Sequence, residues 1–209
     1  MYSPEQFAEH RLPALHQAIA ACGLANLVTT GADGIIASPV PLILDPDAGT
    51  HGTLFGHLAR ANPQWRTSDT GIEALAIFMG PDAYISPSYY QTKRETGKVV
   101  PTWDYVTIHA YGTIEFSEDT DELLEAVTRL TVRHESKRAA PWAVSDAPPA
   151  FTQAQLKGIV AFRLPITRLQ GKWKMSQNRG AADREGVASG LRADGKPEVA
   201  DLVAEAMAT

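Results

Sequence analysis

Hydrophobic and polar residues alternate in short runs through most of this chain, and Gly, Pro and Asp clusters separate the runs. Such alternation predicts half-buried strands, because successive side chains of an extended chain point to opposite faces. Strands are predicted over residues 24–30, 35–44, 53–57, 73–79, 106–116 and 159–169. In the fifth, Val106, Ile108, Ala110 and Gly112 share one face, while Thr107, His109 and Tyr111 share the other. Gly31-Ala32-Asp33-Gly34 reads as a hairpin turn. Pro39 and Pro41 offer no backbone donor, so the second strand is expected at an edge or a bulge. A helical rhythm takes over at residues 119–135, where Leu123, Leu124, Val127, Leu130 and Thr131 recur behind an acidic first turn. Shorter helices are predicted at the N-terminus (Ser3, Pro4 and Gln6 as a capping box, with a break at Pro13), after Asn62-Pro63, at residues 152–157 and at Pro197–Ala208.

The connection between the fourth and fifth strands is the longest. It carries Tyr84, Tyr89, Tyr90, Trp103 and Tyr105, with Lys93, Arg94 and Lys98 interleaved. Pro87 and Pro101 stiffen it and push the residues before them toward extended geometry. Flat rings and cations on a stiff connection suit a planar anionic ligand. The same rings also suit a surface hairpin whose aromatics cap the core, and the residues alone leave both readings open.

Composition narrows the chemistry. At 44% hydrophobic and 21% charged, the chain reads as an ordinary globular protein. A single domain over residues 1–209 is expected, with a helical excursion at about 118–157 and a C-terminal helical extension at about 176–209. A net charge of −5 argues against a broad basic surface for nucleic acid. Cys22 is the only cysteine, which excludes an intrachain disulfide and a multi-cysteine zinc site. There is no apolar leader and no stretch long enough to span a bilayer, so a soluble, cytoplasmic protein without membrane contact is expected. Glycine-rich phosphate loops of the GxGxxG and GxxxxGK[ST] types are missing, as are HExxH, GxSxG and any close metal-ligand spacing.

Two further cation clusters stand out. Arg60 follows the third strand and precedes the short helix after Asn62-Pro63, a combination that offers a guanidinium and free N–H groups to an anion. A solvated loop arginine is the competing reading. From Gly158 to Lys196 there are eight Lys/Arg against three Asp/Glu. Within this stretch Lys172 and Lys174 point the same way in an extended chain, and Gln177, Asn178 and Arg179 add donors. That set suits a phosphate, or else a basic surface tail.

The blocks GHLARANPQW (Gly56–Trp65), AYISPSYY with Lys93, VPTWDYVTIHAYG (Val100–Gly112) and GKWKMSQNR (Gly171–Arg179) resemble the PaiB-type family, whose members are called FMN-binding negative transcriptional regulators. The resemblance extends from about Met1 to Leu191. It has one visible departure: the family usually reads Pro-Thr-Trp-Asn-Tyr, and this chain has Asp104, whose ionised carboxylate cannot donate a hydrogen bond as an amide does.

The resemblance implies a mainly β protein with flanking α-helices, an FMN-binding split β-barrel of six antiparallel Greek-key strands related to the pyridoxamine 5′-phosphate oxidase group. It implies a homodimer with FMN in clefts shared by two subunits. Arg60, Lys93 and Lys174 are implied as phosphate contacts, and His57, Leu58, Ala59 and Asn62 as cofactor-lining residues. Thr102, Trp103 and Tyr105 are implied beside the flavin ring, with Gln177, Asn178 and Arg179 completing the cleft. No catalytic residue and no metal ligand are nominated. The implied role is regulation of transcription, with DNA contact left open. The alternatives are an FMN-dependent oxidoreductase using NAD(P)H, or a haem-binding split barrel.

Overall fold

The computed structural model describes residues 1–208. Among them ten strands and seven α-helices follow the order β1 (Ala8–Glu9), α1 (Leu12–Ala21), β2 (Ala25–Gly31), β3 (Gly34–Val40), β4 (Ile43–Asp45), β5 (Thr53–Ala59), α2 (Gln64–Thr67), β6 (Ala74–Ile85), α3 (Gln91–Thr96), β7 (Thr102–Gly112), β8 (Glu115–Ser117), α4 (Thr120–Glu135), α5 (Pro149–Leu156), β9 (Ile159–Pro165), β10 (Arg168–Lys174), α6 (Ala181–Ala193) and α7 (Pro197–Ala208). The strand pairings resolved in register are all antiparallel. The chain divides into two compact units. One comprises Met1–Leu15, Met79–Ile108 and the chain from Gln170 onward; the other comprises His16–Phe78 and His109–Leu169.

In the second of these units β2 lies between β6 and β3. The β2–β3 hairpin closes at Gly31↔Gly34, and Gly34 supplies the left-handed backbone (φ +103°) that the two-residue turn requires. β3 ends this ladder, which is why Pro39 is tolerated opposite Asn26. The other ladder of this unit runs β4-β5-β9-β8, with β5 and β9 paired from Thr53↔Pro165 to Ala59↔Ile159. Helix α4 covers it, and Leu123, Leu156 and Ala161 form a buried cluster with Val127 and Ile159 against it. Burial of a side chain the size of Leu123 contributes about 1.5–3 kcal/mol. The start of α4 is fixed by Asp119, whose carboxylate accepts from the backbone N–H of Asp121 (3.0 Å) and Glu122 (3.1 Å).

In the first unit the strand order is β1-β10-β7-β6. Helices α6 and α7 pack together, and Val187 and Leu191 of the first and Val199 and Val203 of the second are buried. Asp183 on α6 accepts from the backbone N–H (2.9 Å) and hydroxyl (2.8 Å) of Thr92, and so satisfies a donor in the first turn of α3.

Several elements depart from the sequence expectation. The N-terminal capping box yields only a 3₁₀ turn over Glu5–Phe7, because Phe7 is drawn into the core and the chain extends into β1 beside β10. The predicted 35–44 and 159–169 strands each divide in two, the first at Pro41-Leu42 and the second at Ile166-Thr167. The long aromatic connection is much shorter than expected. β6 runs on to Ile85 and β7 starts at Thr102, leaving a 3₁₀ turn and α3 between them. Its aromatics are partly core: Tyr90 is fully buried, as are Ala83 and Ile85. Among the described residues neither ladder closes on itself.

Candidate functional site

In β7 the even positions from Asp104 through Val106, Ile108 and Ala110 are buried, so the apolar face of the strand begins with a carboxylate. Burial raises the Asp104 pKa, while the Ser176 hydroxyl and the Lys174 ammonium pull it back down. Ser176 Oγ donates to Asp104 Oδ2 at 2.7 Å, and Lys174 Nζ lies 3.4 Å from Oδ1. Lys174 also donates to Thr102 Oγ1 at 2.8 Å and to the Trp103 carbonyl. Lys174, Thr102 and Trp103 are therefore brought together. Asp104, which the sequence marks only as a departure from the family pattern, and Ser176 are members that the resemblance does not assign to the site. Extending the even-numbered face of β7 two residues toward its start locates Asp104; nothing in the sequence points to Ser176.

Ser176 is the one non-glycine residue with positive φ among those described (+58°). The left-handed conformation costs roughly 1–2 kcal/mol for an L-residue. Here it turns the chain sharply after β10 and aims the hydroxyl at the buried carboxylate. Gln177 folds back on the same turn: its Oε1 accepts from Met175 N and its Nε2 donates to Trp173 O, both at 2.6 Å. Arg179 sits over the Tyr90 ring at 4.7 Å, and Asn178 is exposed.

On the other face of β7, Trp103 is 54% exposed and meets the ring of Tyr84 (48% exposed) edge-on, with centroids 6.0 Å apart. Tyr105 lies beside Lys172, whose buried ammonium is 5.2 Å from the ring centroid and donates to the Tyr2 carbonyl at 3.2 Å. Lys93 is exposed on α3, its Nζ 3.1 Å from Ser88 Oγ. This unit thus offers two flat rings to solvent and holds Lys172 against the Tyr105 ring and Lys174 against the Trp103 carbonyl. In type, these groups fit a molecule that joins a planar ring to a phosphate.

The remaining expected residues lie in the other unit. Arg60 leaves β5, but its guanidinium turns to the C-terminal end of α5, donating to the carbonyls of Lys157 (2.7 Å) and Ile159 (3.2 Å), and it pairs with Glu118. A cation is favoured at that end of a helix, where the free carbonyls and the dipole are negative. Asn62 Oδ1 accepts from Gln64 N at 3.0 Å and its Nδ2 donates to Ser38 Oγ at 2.9 Å. Leu58 is buried in the sheet and Ala59 is exposed at the end of β5. His57 is half-buried, its pKa is lowered by burial, and its Nδ1 is enclosed without a hydrogen-bond partner. It lines a hollow of about 260 Å³ with residues of α4 and α5.

The model of the family described as "Putative FMN-binding domain" matches residues 1–168. The chain belongs to this FMN-binding family. FMN is its cofactor. Across 202 residues the chain is 33% identical to the Bacillus subtilis protein called protease synthase and sporulation protein PAI 2, covering 97% of this chain and 94% of that one. An uncharacterised protein of Aspergillus fumigatus is 36% identical over 91% of this chain and 90% of its own length. Among solved structures, the FAD and heme binding protein from Mycobacterium smegmatis is similar over 89% of this chain and 80% of that one, with a TM-score of 0.60 at 18% identity. That likeness is one of fold. Among the described residues of this family member, no cluster of side chains suits a metal ion, and no helix is long and apolar enough to cross a membrane.

Proposed function

We propose that this chain is a PaiB-type, FMN-binding split-barrel homodimer that acts as a negative regulator of transcription, with the flavin as its sensory group. The observation that carries the flavin site is the Lys174 ammonium anchored on Thr102 and Trp103 beside exposed aromatic rings. Lys174 and Lys93 are assigned to the phosphate. Trp103, Thr102 and Tyr105 are assigned to the ring system, and Gln177, Asn178 and Arg179 to the margin of the site. When bound, FMN supplies redox chemistry, and the protein supplies orientation, charge and exclusion of water. Trp103, Tyr84 and Val100 leave a sizeable apolar surface in solvent, and that exposure favours a second subunit as its cover.

The regulatory role leans on the name borne by the Bacillus subtilis relative. The formal charge of −5 favours a flavin-linked signal over a broad basic grip on DNA. The test uses the purified chain loaded with FMN. Binding to a promoter fragment upstream of its own gene, weakened by salt and changed when the flavin is reduced, supports the regulator. Oxidation of NADPH faster than free FMN allows, with no promoter binding in either flavin state, would replace the regulator with an oxidoreductase.

A further inference from the structure

The hollow beside His57 has features that a packing defect lacks. It lies in one unit, between β5, β9, α4 and α5, and has a volume of about 260 Å³. That is near the lower limit for small-molecule pockets. Val127, Leu156 and Ile159 form its apolar wall, and Trp142 and Phe151 stand at its rim, 48% and 56% exposed. Rings of that size left in water beside an apolar hollow are a surface prepared for contact. Among the described residues the lining includes no Lys, Arg, Asp or Glu. A charged ligand would find no counter-ion there.

His57 supplies the polar group. Its Nδ1 is enclosed and has no hydrogen-bond partner. A buried N–H without an acceptor is rarer and costlier than a buried lone pair without a donor, so the ring keeps its proton on Nε2. Burial lowers the His57 pKa, which keeps the imidazole neutral near pH 7. The half-buried ring therefore adds an imidazole donor to a hollow whose other polar side chains, Thr131, Thr152 and Gln155, are all uncharged. We propose that this hollow binds a small, neutral aromatic molecule carrying a hydrogen-bond acceptor, such as a ring nitrogen or a carbonyl, in addition to the flavin. Trp142 and Phe151 hold the ring, and His57 selects the acceptor.

The test titrates quinoline, and naphthalene as its analogue without the ring nitrogen, into the full-length FMN-loaded protein, following the Trp142 indole resonances by NMR. Saturable quinoline binding with a dissociation constant of ~1 mM or tighter is expected, with naphthalene about tenfold weaker. Phe151→Ala, a change at an exposed rim position, should weaken both by about tenfold, while His57→Phe should remove the preference for quinoline. Adding quinoline to the parent protein should leave bound FMN, read by its fluorescence, in place. The proposal is overturned if quinoline fails to bind at ~10 mM, if it binds equally well to Phe151→Ala, if the preference survives in His57→Phe, or if quinoline displaces FMN.

Discussion

Ser176 donates its hydroxyl hydrogen to Asp104 across 2.7 Å, and both residues are shut off from solvent. Each carries a local penalty that the other offsets. Asp104 places a carboxylate on the apolar face of β7, and Ser176 adopts a left-handed backbone at the turn after β10. Lys174 completes the knot with its ammonium near Oδ1. The strand that presents the exposed Trp103 ring is thereby tied to the turn that carries Gln177 and Arg179.

Asp104→Asn should change how stability responds to pH. Burial raises the Asp104 pKa above that of the unfolded chain, so the folded protein holds the proton more tightly. That contribution is complete below the unfolded pKa and is lost as pH rises through the folded pKa. Asparagine still accepts from Ser176 and carries no charge to bury. The variant should therefore gain stability relative to the parent as pH is raised from about 4 to 7. Urea midpoints at several pH values check this; a difference that stays constant over the range would contradict it.

Ser176 separates backbone strain from hydrogen bonding. Ser176→Ala keeps the left-handed φ and removes the donor to a buried carboxylate, a loss of roughly 1.5–3 kcal/mol. Ser176→Gly loses the same bond and relieves the strain, so it should be more stable than the alanine variant by about 1 kcal/mol. Equal unfolding midpoints for the two variants would mean that φ +58° stores no energy.

Much of this architecture was legible in the sequence. Strand and helix types followed from period alone, and the edge position of Pro39 from its missing N–H. The helix at 119–135 is legible because its acidic first turn and its apolar spacing agree; its Asp119 cap is seen only in the structure. The aromatic connection stays ambiguous in the sequence because tyrosine serves on either side: Tyr84 is exposed, Tyr90 is buried, and composition treats them alike. Along the chain Arg60 reads as a partner for the nearest helix N-terminus or as a solvated loop arginine. Its partners, the carbonyls of Lys157 and Ile159, are about a hundred residues away in sequence, and no local pattern reveals them.

Lys174 and Arg60 should accordingly fail in different ways. Lys174→Ala removes a cation assigned to the FMN phosphate, and apo-protein titrated with FMN should show a loss of about 1.5–3 kcal/mol in affinity. Arg60→Ala removes the two donations that hold the end of α5, so its main effect should be on stability, at about 1–3 kcal/mol. Its FMN affinity should fall less than that of Lys174→Ala. If Arg60→Ala unfolds like the parent but binds FMN more weakly, the guanidinium serves the cofactor after all.

The face of α6 that meets Tyr89 leaves no room for a methyl group. A Cβ at Gly190 would stand 2.3 Å from the Tyr89 ring, and one at Gly186 would stand 2.1 Å from the Tyr89 carbonyl oxygen. A ring can tilt more cheaply than a backbone carbonyl can move, so the two positions should differ. Gly190→Ala should cost about 1–3 kcal/mol, the range for overpacking, partly returned by the higher helix propensity of alanine. Gly186→Ala should cost more, because α6 must shift as a whole. Tyr89→Ala should rescue Gly190→Ala by removing the ring but leave Gly186→Ala unrescued, since the carbonyl remains. Thermal unfolding of the four variants reads the difference directly, and rescue of both glycine changes by Tyr89→Ala would show that the backbone contact is not the limiting one.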